Sequence, residues 1–223
     1  MVSLFFAKNI IMQIVVLSNT VLKEELLSQG TNGPAEVVWL DDVHEFLQYP
    51  KADAFMDLLF ENTIERLALL QQLLPKTVII NSVTHTLSST HHAFIRINGW
   101  PTFLQSQLIE GSCLHEEQKE KAIKVLGVFN KQVEWLPDEA GFITPRVISM
   151  IINEAYYALA ESVSTPGEID TAMKLGTAYP YGPFEWGRKI GLQNIATLLH
   201  TLRQQQKRYT PAELLVQETN KAI

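Results

Sequence analysis

Hydrophobic and polar positions fall into two patterns along the chain, one for each half. Residues 12–18, MQIVVLS, are apolar and β-branched without alternation, which predicts a strand buried on both faces. Leu22, Leu26 and Leu27 then recur at helical spacing over 21–29, and Gly30 with Asn32-Gly33-Pro34 marks a stop. AEVVWLDD, 35–42, predicts a second strand ending at Asp41 and Asp42. Ala54 to Phe60 is strongly apolar, and Ile64, Leu67, Leu70 and Leu73 predict a helix over 61–74 that Pro75 ends. TVIINS, 77–82, predicts another buried strand. Strand and helix alternating in this way predict a parallel sheet covered by helices, the doubly wound α/β class.

The second half changes period. A helix is predicted over 116–130, followed by the short segment QVEWLPDEAGF, and no strand-like run follows Pro145. Instead Ile148, Ile151, Ile152, Ala155, Ala158 and Leu159 form one broad apolar face over 147–162. Ser-Thr-Pro-Gly-Glu, 164–168, carries the proline and first-turn acid of a helix start. The expected organisation is an α/β half over 1–138 and an all-α half over 139–223.

Composition narrows the class of partner. With 46% hydrophobic and 19% charged residues in 223, the chain has the make-up of a globular protein with a sizeable core. Eighteen Lys and Arg against 24 Asp and Glu give a net charge of −6, so nucleic acid is not the expected partner. Cys113 stands alone and excludes an intrachain disulfide, which fits a reducing, cytoplasmic setting. The first 17 residues are apolar but broken by Lys8 and Asn9 without a small-residue cleavage site. They read as a tail feeding the first strand, with Met12 as a second candidate start, and no membrane span is expected. His85, His91 and His92 lack the convergent spacing of a zinc site, so no metal is expected.

The most specific stretch is YPYGPFEWGRKIGL, residues 179–192. It resembles the helical C-terminal domain of the 3-hydroxyacyl-CoA dehydrogenase family, of the short two-domain type that includes 3-hydroxybutyryl-CoA dehydrogenases. DEAGFITPRVISMIINEAYYAL, 138–159, resembles the family's join between domains, where an Asp-x-x-Gly-Phe turn precedes a long Arg-bearing helix. DAFMDLLFEN, 53–62, resembles its strand ending in Glu-Asn, and INSVTHTL, 80–87, its Ser/Thr-rich active-site loop. The resemblance implies a shortened Rossmann-like domain and a helical domain that builds a homodimer. It also implies oxidation of 3-hydroxyacyl-CoA by NAD in fatty-acid metabolism.

Position by position, the implied site is altered. A dinucleotide pyrophosphate needs glycines between the first strand and helix, and Leu17, Asn19 and Leu22 stand at those positions. Asn19, with Asp41 at the ribose position and Glu61 after the third strand, are the cofactor-binding candidates. The family's catalytic His falls on Asn98, its orienting Glu twelve residues later on Glu110, and its active-site Asn on Pro145. An amide is no general base. Thr84, His85 and Thr86 occupy the substrate-contacting loop, and His85 is the candidate substitute base. Glu110, Asn98, His85 and Thr86 are thus the catalytic candidates, Glu110 also fitting a solvent-facing strand end. For Pro183, Phe184 and Trp186 a packing role is expected, and for Arg146 and Glu154 structural ion pairs. The expectation is a dehydrogenase-like protein, weak or inactive. The alternatives are a non-catalytic binder of acyl-CoA or nucleotide, or a structural partner protein.

Overall fold

The structure is a computed structural model that describes residues 11–90 and 93–221. Its strands are β1 (Met12–Leu17), β2 (Ala35–Leu40), β3 (Ala54–Asp57), β4 (Thr77–Asn81), β5 (Ile95–Ile97), β6 (Leu108–Ser112) and β7 (Gln132–Trp135). The helices of the first half are α1 (Thr20–Leu27), α2 (Ile64–Gln71), α3 (Leu87–Thr90) and α4 (Glu116–Gly127). The second half is helical: α5 (Thr144–Ala160), α6 (Pro166–Thr177), α7 (Pro183–Ile190), α8 (Leu192–Arg203) and α9 (Glu213–Lys221). His91 and His92 lie outside the described residues, as does most of the apolar tail.

The strands form one seven-stranded sheet in the order β2-β1-β3-β4-β5-β6-β7. Reversal of strand order beside β1 opens a crevice at the carboxyl ends of β1 and β3, the place where doubly wound sheets hold ligands. As its unbroken run predicts, β1 is buried on both faces, with Ile14, Val15 and Val16 fully inaccessible. Ile14 and Val16 pack with Leu22 and Leu26 of α1 on one face. Val15 and Leu17 pack with Phe55, Leu69 and Leu70 on the other.

One departure from an all-parallel sheet follows from chain length. β5 and β6 pair antiparallel, because the ten residues between them are too few for a parallel crossover helix. β7 then pairs parallel with β6. These two strands place Glu110 beside the entry to the helical half.

That half has a core of its own in which Ile148, Ile152, Phe184, Trp186, Ile195 and Leu199 are buried. The core is completed by Val83 and Trp100 from the first half. Pro183, Phe184 and Trp186 take the packing role expected of them. Gly182 is required by close approach, since a Cβ there would sit 2.4 Å from the Asp170 Cα. Asp170 itself accepts from the Phe184 amide at 2.8 Å and so holds the start of α7. At α6, Thr165 and Glu168 form the capping box that the Ser-Thr-Pro-Gly-Glu start implies.

The expected ion pairs of Arg146 and Glu154 are not formed among the described residues. Arg146 donates to the Ala140 carbonyl at 2.7 Å and lies over the Tyr209 ring instead, because the neighbouring helix ends offer carbonyls and an aromatic face rather than a carboxylate.

Candidate active site

The carboxyl ends of the strands meet the helical half at a cleft of about 440 Å³. Leu58, Leu59 and Phe60 line it after β3, Asn81 to His85 after β4, and Trp100 and Pro101 after β5. Asn194 of α8 closes it from the helical side. Asn81 fixes two of these walls together, donating to the Leu58 and Gly99 carbonyls and accepting from the Gly99 amide, each at 3.0 Å. A Cβ on Gly99 would lie 2.8 Å from the Asn81 side chain, so glycine is what allows this approach.

Three predicted residues converge here: Asn19, Glu61 and His85. Thr84 lines the cleft as well, whereas Thr86 is half-buried and does not. A second cleft of about 470 Å³ shares Asn19 and carries Ser18, Thr20, Lys23, Trp39 and Asp41. Asp41 therefore faces the same crevice as Asn19, from the end of β2.

His85 is half-buried, and burial pulls its imidazole below the usual histidine value. It is neutral at pH 7, the form that accepts a proton. Its loop is held by Ser82, whose hydroxyl donates to the His85 carbonyl at 2.8 Å. Among the described residues no carboxylate or carbonyl orients the ring.

Asn98 and Glu110 are brought together but away from the cleft walls. Asn98 is 3% exposed and its Nδ2 donates to Glu110 Oε2 at 3.0 Å. The other oxygen of Glu110 accepts from the Ile143 amide at 3.0 Å, the Thr144 amide at 2.8 Å and the Thr144 hydroxyl at 3.0 Å. Glu110 is thus neither a solvent-facing strand end nor an unoccupied acid. It caps α5, where its charge also meets the positive end of the helix dipole. Pro145 is buried in the first turn of that helix, where its missing N–H is harmless.

At the start of α1, Asn19 Oδ1 accepts from the Leu22 amide at 2.9 Å. Leu17 and Leu22, at the other two of the implied glycine positions, face the core. Each is buried in the core on its own face of the sheet, at 1% and 4% exposure. The glycine positions have become packing and capping residues, so the turn does not fit a dinucleotide pyrophosphate of the kind a glycine-rich turn holds.

Sequence reasoning missed an ion pair beneath the cleft. Asp57, fully buried at the end of β3, has one oxygen 3.5 Å from Arg66 Nη1 and accepts with the other from the Leu59 amide at 3.1 Å. Arg66 Nη2 donates to the Leu59 carbonyl at 3.2 Å, so the pair grips the loop that carries Leu59, Phe60 and Glu61. Its signal was an aspartate inside the apolar run Ala54–Phe60. Among the described residues no group of three His, Cys, Asp or Glu could hold a metal ion.

Comparison with known proteins places this geometry. The model of the 3-hydroxyacyl-CoA dehydrogenase C-terminal domain matches residues 141–222. A 3-hydroxybutyryl-CoA dehydrogenase of Bradyrhizobium diazoefficiens is 29% identical, the match covering 89% of this chain and 71% of that protein. Residues 141–222 thus belong with the C-terminal domain of the 3-hydroxyacyl-CoA dehydrogenase family, and most of the chain is similar to 3-hydroxybutyryl-CoA dehydrogenases.

Within the family, a 3-hydroxyadipyl-CoA dehydrogenase of Escherichia coli is 44% identical over 99 residues. That match covers 44% of this chain and only 21% of the relative, so the matched segment spans about a fifth of that protein's length. The (S)-3-hydroxybutyryl-CoA dehydrogenase of Ralstonia eutropha shares the fold, with a TM-score of 0.72 at 16% identity over 95% of this chain and 94% of that one. The family's Rossmann-like and helical halves are thus both present here. No described helix is long and apolar enough to cross a membrane.

Proposed function

We propose that this chain is a 3-hydroxyacyl-CoA dehydrogenase-like protein that turns over 3-hydroxyacyl-CoA weakly or not at all by the family's route. The observation that carries the reading is Asn98. The resemblance puts the general base there, and an amide hydrogen-bonded to Glu110 at 3.0 Å takes up no proton near neutral pH. The acid that would orient a base is committed to the start of α5 through three hydrogen bonds. Loss of a general base lowers a rate by roughly 10²–10⁴.

What is retained is a cleft of about 440 Å³ with Phe60 and Trp100 among its walls, a size that suits a small ligand. It favours the second reading, a non-catalytic relative that binds an acyl-CoA or a nucleotide. His85 lines this cleft in its neutral form and is the group on which residual catalysis would rest. NAD is the redox partner that the resemblance implies, and hydride transfer is what it would supply. Glu61, which lines the same cleft, is proposed to flank the bound ligand.

The assay is NADH oxidation with acetoacetyl-CoA, on the wild type and on His85→Ala. The expected wild-type rate is near background, and any residual turnover vanishes in His85→Ala. A wild-type kcat of about 10 s⁻¹, typical of working enzymes, would overturn the reading. We further propose a homodimer through the helical half, where Ile143 before α5 and Val147 within it are half exposed. Assignment to fatty-acid metabolism and the cytoplasm rests on the resemblance and on the lone Cys113.

A further inference from the structure

We infer that Asn19 is a built-in occupant of the α1 N-terminus that excludes the pyrophosphate of a dinucleotide from the groove beside β1 and β2. The inference rests on the scaffold assignment proposed above and names the class of ligand that this groove rejects, dinucleotides.

The start of a helix attracts phosphate because its first amides have no partner within the helix. Here one of those amides, that of Leu22, already donates to Asn19 Oδ1 at 2.9 Å. The side chain doing so lines both clefts, so a phosphate at the turn would have to displace it. Asn19 has extended backbone, φ −88° and ψ 174°, the ordinary conformation of a residue in this capping position.

Charge on the groove walls acts in the same direction. The carboxylates Glu24 and Asp41 line the second cleft and Glu61 the first, against Lys23 as the one lysine or arginine among their lining residues. That amine is drawn onto the Trp39 ring, 4.7 Å from its centroid. Two phosphate charges entering the groove would face three carboxylates and an amine already engaged.

The test is fluorescence titration with NADH, with ADP-ribose as competitor, on the wild type, Asn19→Gly and Asn19→Asp. Glycine is tolerated at a helix cap nearly as well as asparagine, so the first variant is expected to fold. Asn19→Ala gives the same comparison if glycine loosens the turn. We expect no saturation of the wild type below millimolar NADH and about tenfold tighter binding to Asn19→Gly. That gain should shrink as salt rises, and Asn19→Asp should bind no better than wild type. Wild-type saturation at micromolar NADH, reversed by ADP-ribose, would overturn the inference, as would a folded Asn19→Gly with unchanged affinity. Binding without turnover would defeat this inference alone, whereas efficient acetoacetyl-CoA reduction would also defeat the reading of Asn98.

Discussion

Arg96 offers the sharpest test of what joins the two halves. Its side chain is fully buried in β5, yet each guanidinium nitrogen meets a partner. Nε meets Asp138 Oδ1 at 2.7 Å, Nη1 donates to the Ser82 carbonyl at 3.1 Å, and Nη2 donates to the Glu139 carbonyl. The guanidinium also lies 4.1 Å from the Phe142 ring centroid. Asp138 in turn accepts from the Leu87 and Ser88 amides at 3.0 and 2.9 Å. Replacing Arg96 by Met keeps most of the volume but leaves a carboxylate and two carbonyls without their donor. Breaking a buried pair in this way costs about 3–5 kcal/mol, a large part of the ~5–15 kcal/mol that holds a domain folded. With a urea slope of about 2 kcal/mol per molar, the unfolding midpoint should fall by roughly 2 M. The loss should change little with added salt, because the pair is shielded from ions. Asp138→Asn combined with Arg96→Met should cost less than the sum of the single changes. An Arg96→Met midpoint within about 0.5 M of wild type would refute this account of the junction.

Two further outcomes concern Asp57 and the helical half. Burial pushes the Asp57 carboxyl up to about 7 against the opposing pull of Arg66, so folding takes up a proton there between pH 4 and 7. The group's contribution to stability is therefore full below pH 4 and is lost as pH rises through 7. Relative to wild type, Asp57→Asn should gain more than ~1.4 kcal/mol between pH 5 and 8, the equivalent of one pKa unit. Parallel pH–stability curves would contradict this placement. For the proposed dimer, light scattering at micromolar protein should give twice the 25.2 kDa chain mass, and a stable monomer would remove it.

Much of the fold was legible because the sheet is buried on both faces. An unbroken apolar run such as residues 14–17 suits a strand covered on both sides and little else, and the apolar face of α5 set its period plainly. β5 and β6 were not legible. β5 is three residues with Arg96 at its centre, and a charge reads as solvent unless its partner is known. That partner, Asp138, lies 42 residues further on. Resemblance pointed to Asn19, Glu61 and His85, which line the cleft, and to Asn98 and Glu110, which lie away from it, but not to their employment. Spacing could suggest that Asn98 and Glu110 meet. It could not reveal that the second carboxylate oxygen holds α5, because that contact depends on how the two halves dock.

The double engagement of Glu110 has a consequence for how such chains are interpreted. One carboxylate joins a strand of the sheet to the first turn of the longest helix, and would be needed there whether or not any reaction takes place nearby. Persistence of an acid at this position is therefore no witness to catalysis. The same tie means that the segment 141–222, although matched as a unit, does not close its own architecture. Cut from the sheet, it would lose the cap on α5 together with Val83 and Trp100 from its core. Grafted onto another α/β half, it would require a carboxylate supplied from the same place.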